Sequence, residues 1–274
     1  SMFERQKGYQ SAGKSCNHWN RCSEDIQLIK QLGVKAYRFS VEWSKIEPVM
    51  GQFDKEALLH YKDFCRQLRE NGIEPMVTLH HFTNPVWFQV RKHFEKEENI
   101  KYFTRFSLRV FEELKDYVTL WCTINEPAIY AFSGYILGDF PPGHVMDFKS
   151  AGNVIKNFMI AHCEVYREIK KRGQELGIET KVGLAHNILQ FDPYHENQLE
   201  AAACKTMTDC FSNSVVNFFK TGEFEFNIFS YLKSASLRFT AEIKYTDKYA
   251  PKCLDFFGLN YYCNILIIDL KTCY

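Results

Sequence analysis

An apolar run leads into an amide, a carboxyl group and a proline in the stretch Val118-Thr119-Leu120-Trp121-Cys122-Thr123-Ile124-Asn125-Glu126-Pro127. The apolar part predicts a buried strand, and Pro127 predicts that the strand ends there, because proline lacks the backbone donor that a central strand uses. Asn125 and Glu126 are therefore presented side by side at a strand end. A carboxyl group at the rim of an apolar core favours its protonated form, which suits a general acid. The alternative is a loop glutamate that caps a helix or pairs with a cation.

Strand and helix patterns alternate on both sides of this stretch. Further strands are predicted at residues 34–41, 73–81, 181–187 and 254–262, with one more apolar run at 265–270. Between them, apolar residues recur at helical spacing, which predicts helices around residues 26–32, 58–68, 100–114, 154–169 and 197–219. Strands that alternate with long helices are typical of βαβ units and a parallel sheet.

Polar residues gather at the carboxyl ends of the predicted strands, where a barrel of parallel strands places its active site. A doubly wound sheet would instead carry a glycine-rich phosphate turn, and neither Gly-x-Gly-x-x-Gly nor Gly-Lys-Ser/Thr occurs. We therefore predict a single domain over residues 1–274, an α/β fold of the (β/α)8 TIM-barrel type, in which about five of the eight strands are recognisable. The polar residues are Arg38, His81, Asn125 with Glu126, Asn187, and Asn260 with Tyr262.

Composition excludes several classes of function. The 274 residues are 46% hydrophobic and 24% charged with a net charge of +1, so nucleic acid is not an expected partner. No apolar run is long enough for a membrane span, and Ser1–Arg5 lacks the apolar core of a signal peptide, so we expect a cytoplasmic protein. The ten cysteines form no Cys-x-x-Cys pair, so we expect neither a zinc site nor a redox motif built from them.

Several short motifs follow one another in an order that is known from one enzyme family. The chain resembles the family 1 glycoside hydrolases, the β-glucosidase family, from Cys16 to Tyr262. The motifs are Cys16-Asn17-His18-Trp19-Asn20-Arg21, Ser23-Glu24-Asp25-Ile26, Tyr37-Arg38-Phe39-Ser40, Val77-Thr78-Leu79-His80-His81-Phe82, Thr123-Ile124-Asn125-Glu126-Pro127 and Gly258-Leu259-Asn260-Tyr261-Tyr262.

The resemblance implies a retaining β-glycosidase that hydrolyses terminal β-linked sugars of the β-glucoside or β-galactoside type. Two carboxylates about 5 Å apart then work in turn, one as nucleophile and one as acid and then base. Glu126 matches the acid/base, and Asn125 matches the amide that holds the 2-hydroxyl group of the sugar. His81 matches a histidine that hydrogen-bonds the non-reducing sugar.

Four further residues match positions around the sugar and the nucleophile. Asn187 and Asn260 match amides that line the sugar site. Arg38 matches the arginine that pairs with the nucleophile, and Tyr262 matches the tyrosine whose hydroxyl contacts both the nucleophile and, by its position, the substrate. The implied partner is a small carbohydrate. The resemblance implies neither a metal nor an organic cofactor, because the chemistry needs only carboxylates and water.

The chain departs from the family pattern in three places. The family nucleophile lies in a Thr-Glu-Asn-Gly segment well beyond the Asn-Tyr-Tyr strand, whereas this chain stops at Tyr274. Lys92-His93-Phe94 stands where the family usually has Gly-Gly-Trp. The opening strand that bears a sugar-binding glutamine has no match at Tyr9-Gln10. We therefore expect no β-glycosidase activity from the 274-residue chain alone, with Arg38 paired with another acid or facing solvent.

Three explanations of these departures are open. The chain is a part of an ordinary enzyme, or it is a short relative that completes its sheet through self-association or a partner chain. The third explanation is a protein whose active site is rebuilt locally. Glu42 and Asp269 are the weak candidates for a replacement nucleophile. The alternative to an enzyme is a catalytically inactive glycosidase-like protein that binds a sugar or a partner.

Overall fold

The computed structural model describes Gly8 and residues 13–195, 197–228 and 240–268. Nine strands lie within these residues: β1 Ala36–Ser40, β2 Glu74–His80, β3 Leu120–Asn125, β4 Lys181–Asn187, β5 Gln190–Pro193, β6 Glu223–Ile228, β7 Ala241–Thr246, β8 Phe256–Asn260 and β9 Asn264–Ile267.

The described α-helices are α1 His18–Gln31, α2 Trp43–Ile46, α3 Lys55–Glu70, α4 Val86–Val90, α5 Ile100–Leu114, α6 Pro127–Ala131, α7 Phe148–Leu176, α8 Gln198–Thr208 and α9 Ser214–Thr221. Short 3-10 turns occupy His93–Glu95, Glu97–Asn99 and Ala250–Lys252, and π-helical turns occupy Phe132–Leu137 and Asp209–Asn213. None of the helices in the described residues combines the length and the apolar character that a membrane span requires.

The main sheet has five strands in the order β1-β2-β3-β4-β8, and all neighbours are parallel. Helices connect the strands, and the sheet curls into half a barrel. The predicted partial (β/α)8 barrel with five recognisable strands is therefore confirmed. Because the carboxyl ends of parallel strands share one edge, this topology brings the predicted polar residues to one side of the molecule.

The core lies between the sheet and the helices that cover its outer face. Trp121 of β3 is fully buried and its ring lies 5.3 Å from that of Phe111 in α5. Phe158 of α7 is likewise fully buried. Helix α3 begins where the side chain of Asp54 accepts a hydrogen bond from Ala57 N, and α7 begins at the equivalent cap of Asp147.

Two small strand pairs were not predicted from the sequence. Strand β5 pairs with β9 in parallel, and β6 pairs with β7 in an antiparallel hairpin. In β6 the apolar residues Phe224, Phe226 and Ile228 are buried and alternate with exposed polar ones, so the pattern was available in the sequence. The predicted helix at 197–219 is real but is divided into α8 and α9 by a π-helical turn.

Candidate active site

Glu126 lies where β3 turns into α6. Its backbone is left-handed, with φ 48°, a conformation that costs free energy for a residue with a side chain and is often retained at functional positions. Two backbone bonds hold this turn: Glu126 N donates to Ala185 O at 2.7 Å, and Tyr130 N donates to Glu126 O at 3.1 Å. The residue is only 6% exposed, so its carboxyl group is presented at the edge of the sheet but largely out of water.

Two residues from β8 and the turn after it meet the carboxyl group of Glu126. Asn260 donates its side-chain amide to Glu126 Oε1 in a short hydrogen bond, and Tyr262 Oη donates to the same oxygen at 3.3 Å. The negative charge of Glu126 raises the pKa of Tyr262 above its ordinary value. The family resemblance matches Tyr262 to a tyrosine whose hydroxyl contacts the nucleophile. In this structure the hydroxyl of Tyr262 contacts Glu126, the residue that the resemblance matches to the acid/base.

Arg38 lies on the inner side of β1 and reaches across two strands. Its guanidinium donates to Thr78 Oγ1 at 2.8 Å, to Asn125 Oδ1 at 2.6 Å and to Cys122 Sγ at 3.5 Å. Within the described residues these partners are all uncharged. Because arginine keeps its proton in proteins, a half-buried positive charge remains without a described counter-charge beside Asn125.

His81 follows β2 directly and joins this group. Asn125 Nδ2 donates to His81 Nε2 at 3.3 Å. Partial burial and the positive charge of Arg38 lower the pKa of His81, while the carboxylate of Glu126 acts in the opposite sense. The imidazole is therefore neutral near pH 7, with Nε2 accepting from Asn125 and the ring proton on Nδ1.

Asn187 ends β4 and lies opposite Asn260 in the register of the sheet. Its side chain is buried, and its Oδ1 atom finds no hydrogen-bond partner within the described part of the chain. A buried acceptor without a donor is costly, and hydroxyl groups of a ligand are suitable donors.

The predicted site residues thus converge on one concave edge of the sheet. They form two groups that meet at Asn125 and Glu126: Arg38, His81 and Asn125 on one side, and Glu126, Asn260 and Tyr262 on the other. Asn187 lies on the adjacent strand end.

Two residues of this network were missed by the sequence analysis. Thr78 and Cys122 both receive a hydrogen bond from Arg38. Thr78 lies in the quoted motif around His81, which is the one signal that could have found it, although strict alternation would put these two residues on opposite faces of a strand. Cys122 gives no such signal, because the sequence does not distinguish it from the other apolar residues of a buried strand.

Of the two candidates for a replacement nucleophile, only Glu42 lies within the described residues, and its carboxylate has partners outside the candidate site. Glu42 caps α2: its Oε1 atom accepts from Ser44 N at 3.1 Å, and its Oε2 atom accepts from Thr83 Oγ1 at 2.9 Å. Asp269 lies outside the described residues. Within the residues that the structure describes, no second carboxylate contacts Glu126 or Arg38.

The sequence model of glycosyl hydrolase family 1 matches residues 2–272. The chain belongs to glycosyl hydrolase family 1. The family 1 β-glucosidase A of Thermotoga maritima is 32% identical over 261 residues, which are 92% of this chain and 55% of that protein. A 6-phospho-β-galactosidase of Clostridium acetobutylicum is 27% identical over 267 residues, 95% of this chain and 56% of that protein.

A solved family 1 structure has the same fold over the shared part. The β-glycosidase of Pyrococcus horikoshii superposes with a TM-score of 0.79 at 32% identity, and the match covers 96% of this chain and 56% of that one. The chain therefore spans about half the length of the relatives it matches, in agreement with five strands of an eight-stranded barrel.

Proposed function

We propose that this chain carries the acid/base half of the active site of a retaining β-glycosidase, with Glu126 as the acid/base. The observation that supports this role most strongly is the environment of the Glu126 carboxyl group, which is largely buried at the carboxyl edge of the sheet and receives hydrogen bonds from Asn260 and Tyr262. A general acid must hold a proton within reach of the leaving-group oxygen and out of bulk water.

The remaining residues fit the other requirements of glycoside hydrolysis. Asn125 lies next to Glu126 and would hold the 2-hydroxyl group of the sugar, a contact that strengthens in the transition state. The unpaired Oδ1 of Asn187 would accept a hydrogen bond from a sugar hydroxyl, and His81, whose Nε2 already accepts from Asn125, would donate the N–H of its other ring nitrogen to another hydroxyl. The substrate would be a β-glucoside or a β-galactoside; the relatives cited above are named a β-glucosidase and a 6-phospho-β-galactosidase.

The second carboxylate of the retaining mechanism would come from a segment outside the described residues. Arg38 marks where it would lie, because its guanidinium has only uncharged described partners and a carboxylate about 5 Å from Glu126 would neutralise it. We infer that the 274-residue chain alone binds a sugar but does not hydrolyse it.

A sugar-binding protein without catalysis is the second candidate. It is favoured by one observation, that no second carboxylate among the described residues contacts Glu126 or Arg38. Both candidate functions use the same sugar-binding site. They differ in whether completion of the barrel produces hydrolysis of the bound sugar.

Binding and turnover separate these functions. The purified chain is expected to bind methyl β-D-thioglucoside, which resists hydrolysis, and to leave aryl β-glucosides and β-galactosides intact. It is then expressed together with the part of a family 1 relative that it does not match, which supplies the missing strands. Turnover of cellobiose in this complex would support the glycosidase, whereas binding without turnover would support the sugar-binding protein.

The role of Glu126 is tested in the complemented protein. Glu126→Gln should abolish cellobiose hydrolysis but spare the first step on dinitrophenyl β-glucoside, whose leaving group needs no proton. Glu42→Gln is the matched control, because it changes a carboxyl group that contacts Ser44 and Thr83 and not Glu126. Full cellobiose hydrolysis by Glu126→Gln would refute the assignment.

A further inference from the structure

Asn84 anchors the loop that carries His81 between β2 and α4. Its Oδ1 atom accepts a hydrogen bond from His80 Nε2 at 3.1 Å. Its Nδ2 atom donates to Gln89 Oε1 at 3.1 Å and to Tyr130 Oη at 2.8 Å. The amide thus uses its acceptor and both of its donors, and it ties the loop to β2, to α4 and to α6.

Tyr130 connects this anchor to Glu126. It lies in α6, the helix that begins directly after Glu126, and its backbone N donates to Glu126 O at 3.1 Å. The ring is buried, with 2% exposure, so its hydroxyl is held in one place. The bond between Asn84 and Tyr130 therefore joins the loop of His81 to the helix of Glu126 behind the site.

The direction of the hydrogen bonds fixes the orientation of the Tyr130 hydroxyl. Burial lowers the pKa of His80 to about 4 and the pKa of His93 to about 3, so both rings are neutral near pH 7 and each has one N–H. His93 Nε2 lies 2.9 Å from Tyr135 Oη, which donates to Glu95 Oε1 at 2.9 Å.

The hydroxyl of Tyr135 donates its only proton to Glu95, so its oxygen accepts a hydrogen bond from His93 Nε2–H. His93 Nδ1 is then an acceptor for the Tyr130 hydroxyl, at 3.4 Å. Tyr130 in turn presents its lone pair to Asn84 Nδ2. Among the described partners every donor in this series then has an acceptor.

We propose that Asn84 and Tyr130 are positioning residues of the candidate site, whose mutual hydrogen bond sets the position of His81 relative to Glu126, a role that rests on the function proposed above. Neither side chain contacts the other predicted site residues directly. Both act on them through the backbone, Asn84 through the loop that follows His81 and Tyr130 through the first turn of α6.

Two tyrosine variants in the full 274-residue chain provide a matched test. Tyr130→Phe and Tyr135→Phe each remove one buried phenol hydroxyl from the same series, but only Tyr130 lies between Asn84 and Glu126. Asn84→Ala removes the donor of the hydrogen bond between Asn84 and Tyr130. Because Asn84 is only half-buried, this variant can replace Tyr130→Phe in the test if Tyr130→Phe does not fold. Each variant is measured for unfolding in urea, for the titration of His81 by nitrogen-15 NMR and for binding of methyl β-D-thioglucoside.

Tyr130→Phe and Asn84→Ala should weaken thioglucoside binding about tenfold, because small displacements of contact groups are costly. The pKa of His81 should rise toward its ordinary value as the loop leaves Arg38 and gains water, with Glu126 the other charge that faces it. Tyr135→Phe should lose a similar amount of stability and change neither value. Equal changes in all three variants, or none in Tyr130→Phe, would overturn the proposal.

The two readouts separate this inference from the proposed function. If the unmodified chain does not bind the thioglucoside, the sugar site fails, and the titration of His81 still decides whether Asn84 and Tyr130 hold the loop. If the sugar binds and His81 titrates alike in all variants, the positioning role fails and the sugar site stands.

Discussion

The central strands of the sheet and its two edge strands are covered by the rest of the molecule to very different extents. In the central strands, Val77, Trp121 and Leu184 are fully buried. In the edge strand β8, Phe257 is 37% exposed and Leu259 is 64% exposed. Strands of a closed barrel would all resemble the central ones, because closure gives every strand two neighbours.

The same contrast divides the candidate site. Asn125, Glu126 and Asn187 stand at the ends of central strands and are at most 6% exposed. Tyr262, which follows β8, is 74% exposed although its hydroxyl reaches Glu126. The central strands therefore preform the part of the site that holds the proposed acid/base, while the edge contributes a part that solvent still reaches.

The largest expected effect contrasts the centre with the edge directly. Trp121→Ala should lower the free energy of unfolding by about 3 to 5 kcal/mol, because it leaves a cavity between the sheet and α5. Leu259→Ala is the control on the edge strand and should change it by less than about 0.5 kcal/mol. Urea unfolding of both variants measures the difference, and similar losses would show that β8 is as well packed as β3.

The next effect concerns the attachment of the edge strand to the centre. A side chain at Gly183 of β4 would collide with the backbone carbonyl of Phe256 and approach its ring to 2.7 Å. Gly183→Ala should therefore cost about 3 kcal/mol and displace β8, together with Asn260, from Glu126.

Gly258→Ala is the matched substitution on the edge side of the same strand pair. Its added carbon would lie 3.2 Å from the side chain of Ala185, a tight contact that a small shift relieves. Its cost in urea unfolding should be clearly smaller than that of Gly183→Ala. A larger cost for Gly258→Ala would mean that β8, not β4, is the rigid partner.

A weaker, pH-dependent link holds the start of β8 to the centre. The carboxylate of Asp255 accepts from Val182 N at 2.8 Å and from Lys170 Nζ at 2.9 Å. Partial burial alone would raise the pKa of Asp255, but the hydrogen bonds from Lys170 and Val182 outweigh it and hold the pKa below its ordinary value.

Because the pKa of Asp255 is lower in the folded state, its stabilisation is present above the unfolded pKa and is lost as the pH falls through the folded one. Asp255→Asn should cost about 1 kcal/mol at pH 7, screening by solvent included, and progressively less below about pH 4. Asp116→Asn, at an exposed residue, is the control and should show no such dependence. A cost of Asp255→Asn that stays constant down to acid pH would exclude the ionic contribution.

The sequence predicted the parts of this molecule that local patterns determine. Apolar runs ending in polar residues located β2, β3 and β4, and Glu126 was found because its amide neighbour and Pro127 follow such a run. Strand β5 was missed because it is four residues long, ends in a proline and is defined by its pairing with β9.

The bonds that hold the site together could not be read from the sequence. Asn84 and Tyr130 are 46 residues apart, and nothing in the local pattern of either indicates that they meet. The contact of Tyr262 with Glu126 likewise joins residues 136 positions apart. Such contacts depend on how strand ends are brought together, which is a property of the sheet and not of any one segment.

The smallest expected effect on stability is also the most direct test of the open edge. Within the part of the chain that the structure describes, β8 lies at the edge of the main sheet and exposes Phe257 and Leu259, the combination that promotes strand pairing between molecules. Leu259→Lys should leave the free energy of unfolding within about 0.5 kcal/mol of the unmodified chain but reduce concentration-dependent association, because a charged side chain on an edge strand opposes pairing. Val90→Lys, on α4 at 78% exposure, makes the same change of charge away from any edge and should not reduce association. Sedimentation over a range of concentrations compares the three proteins, and equal association of all three would show that the β8 edge is not where copies of the chain meet.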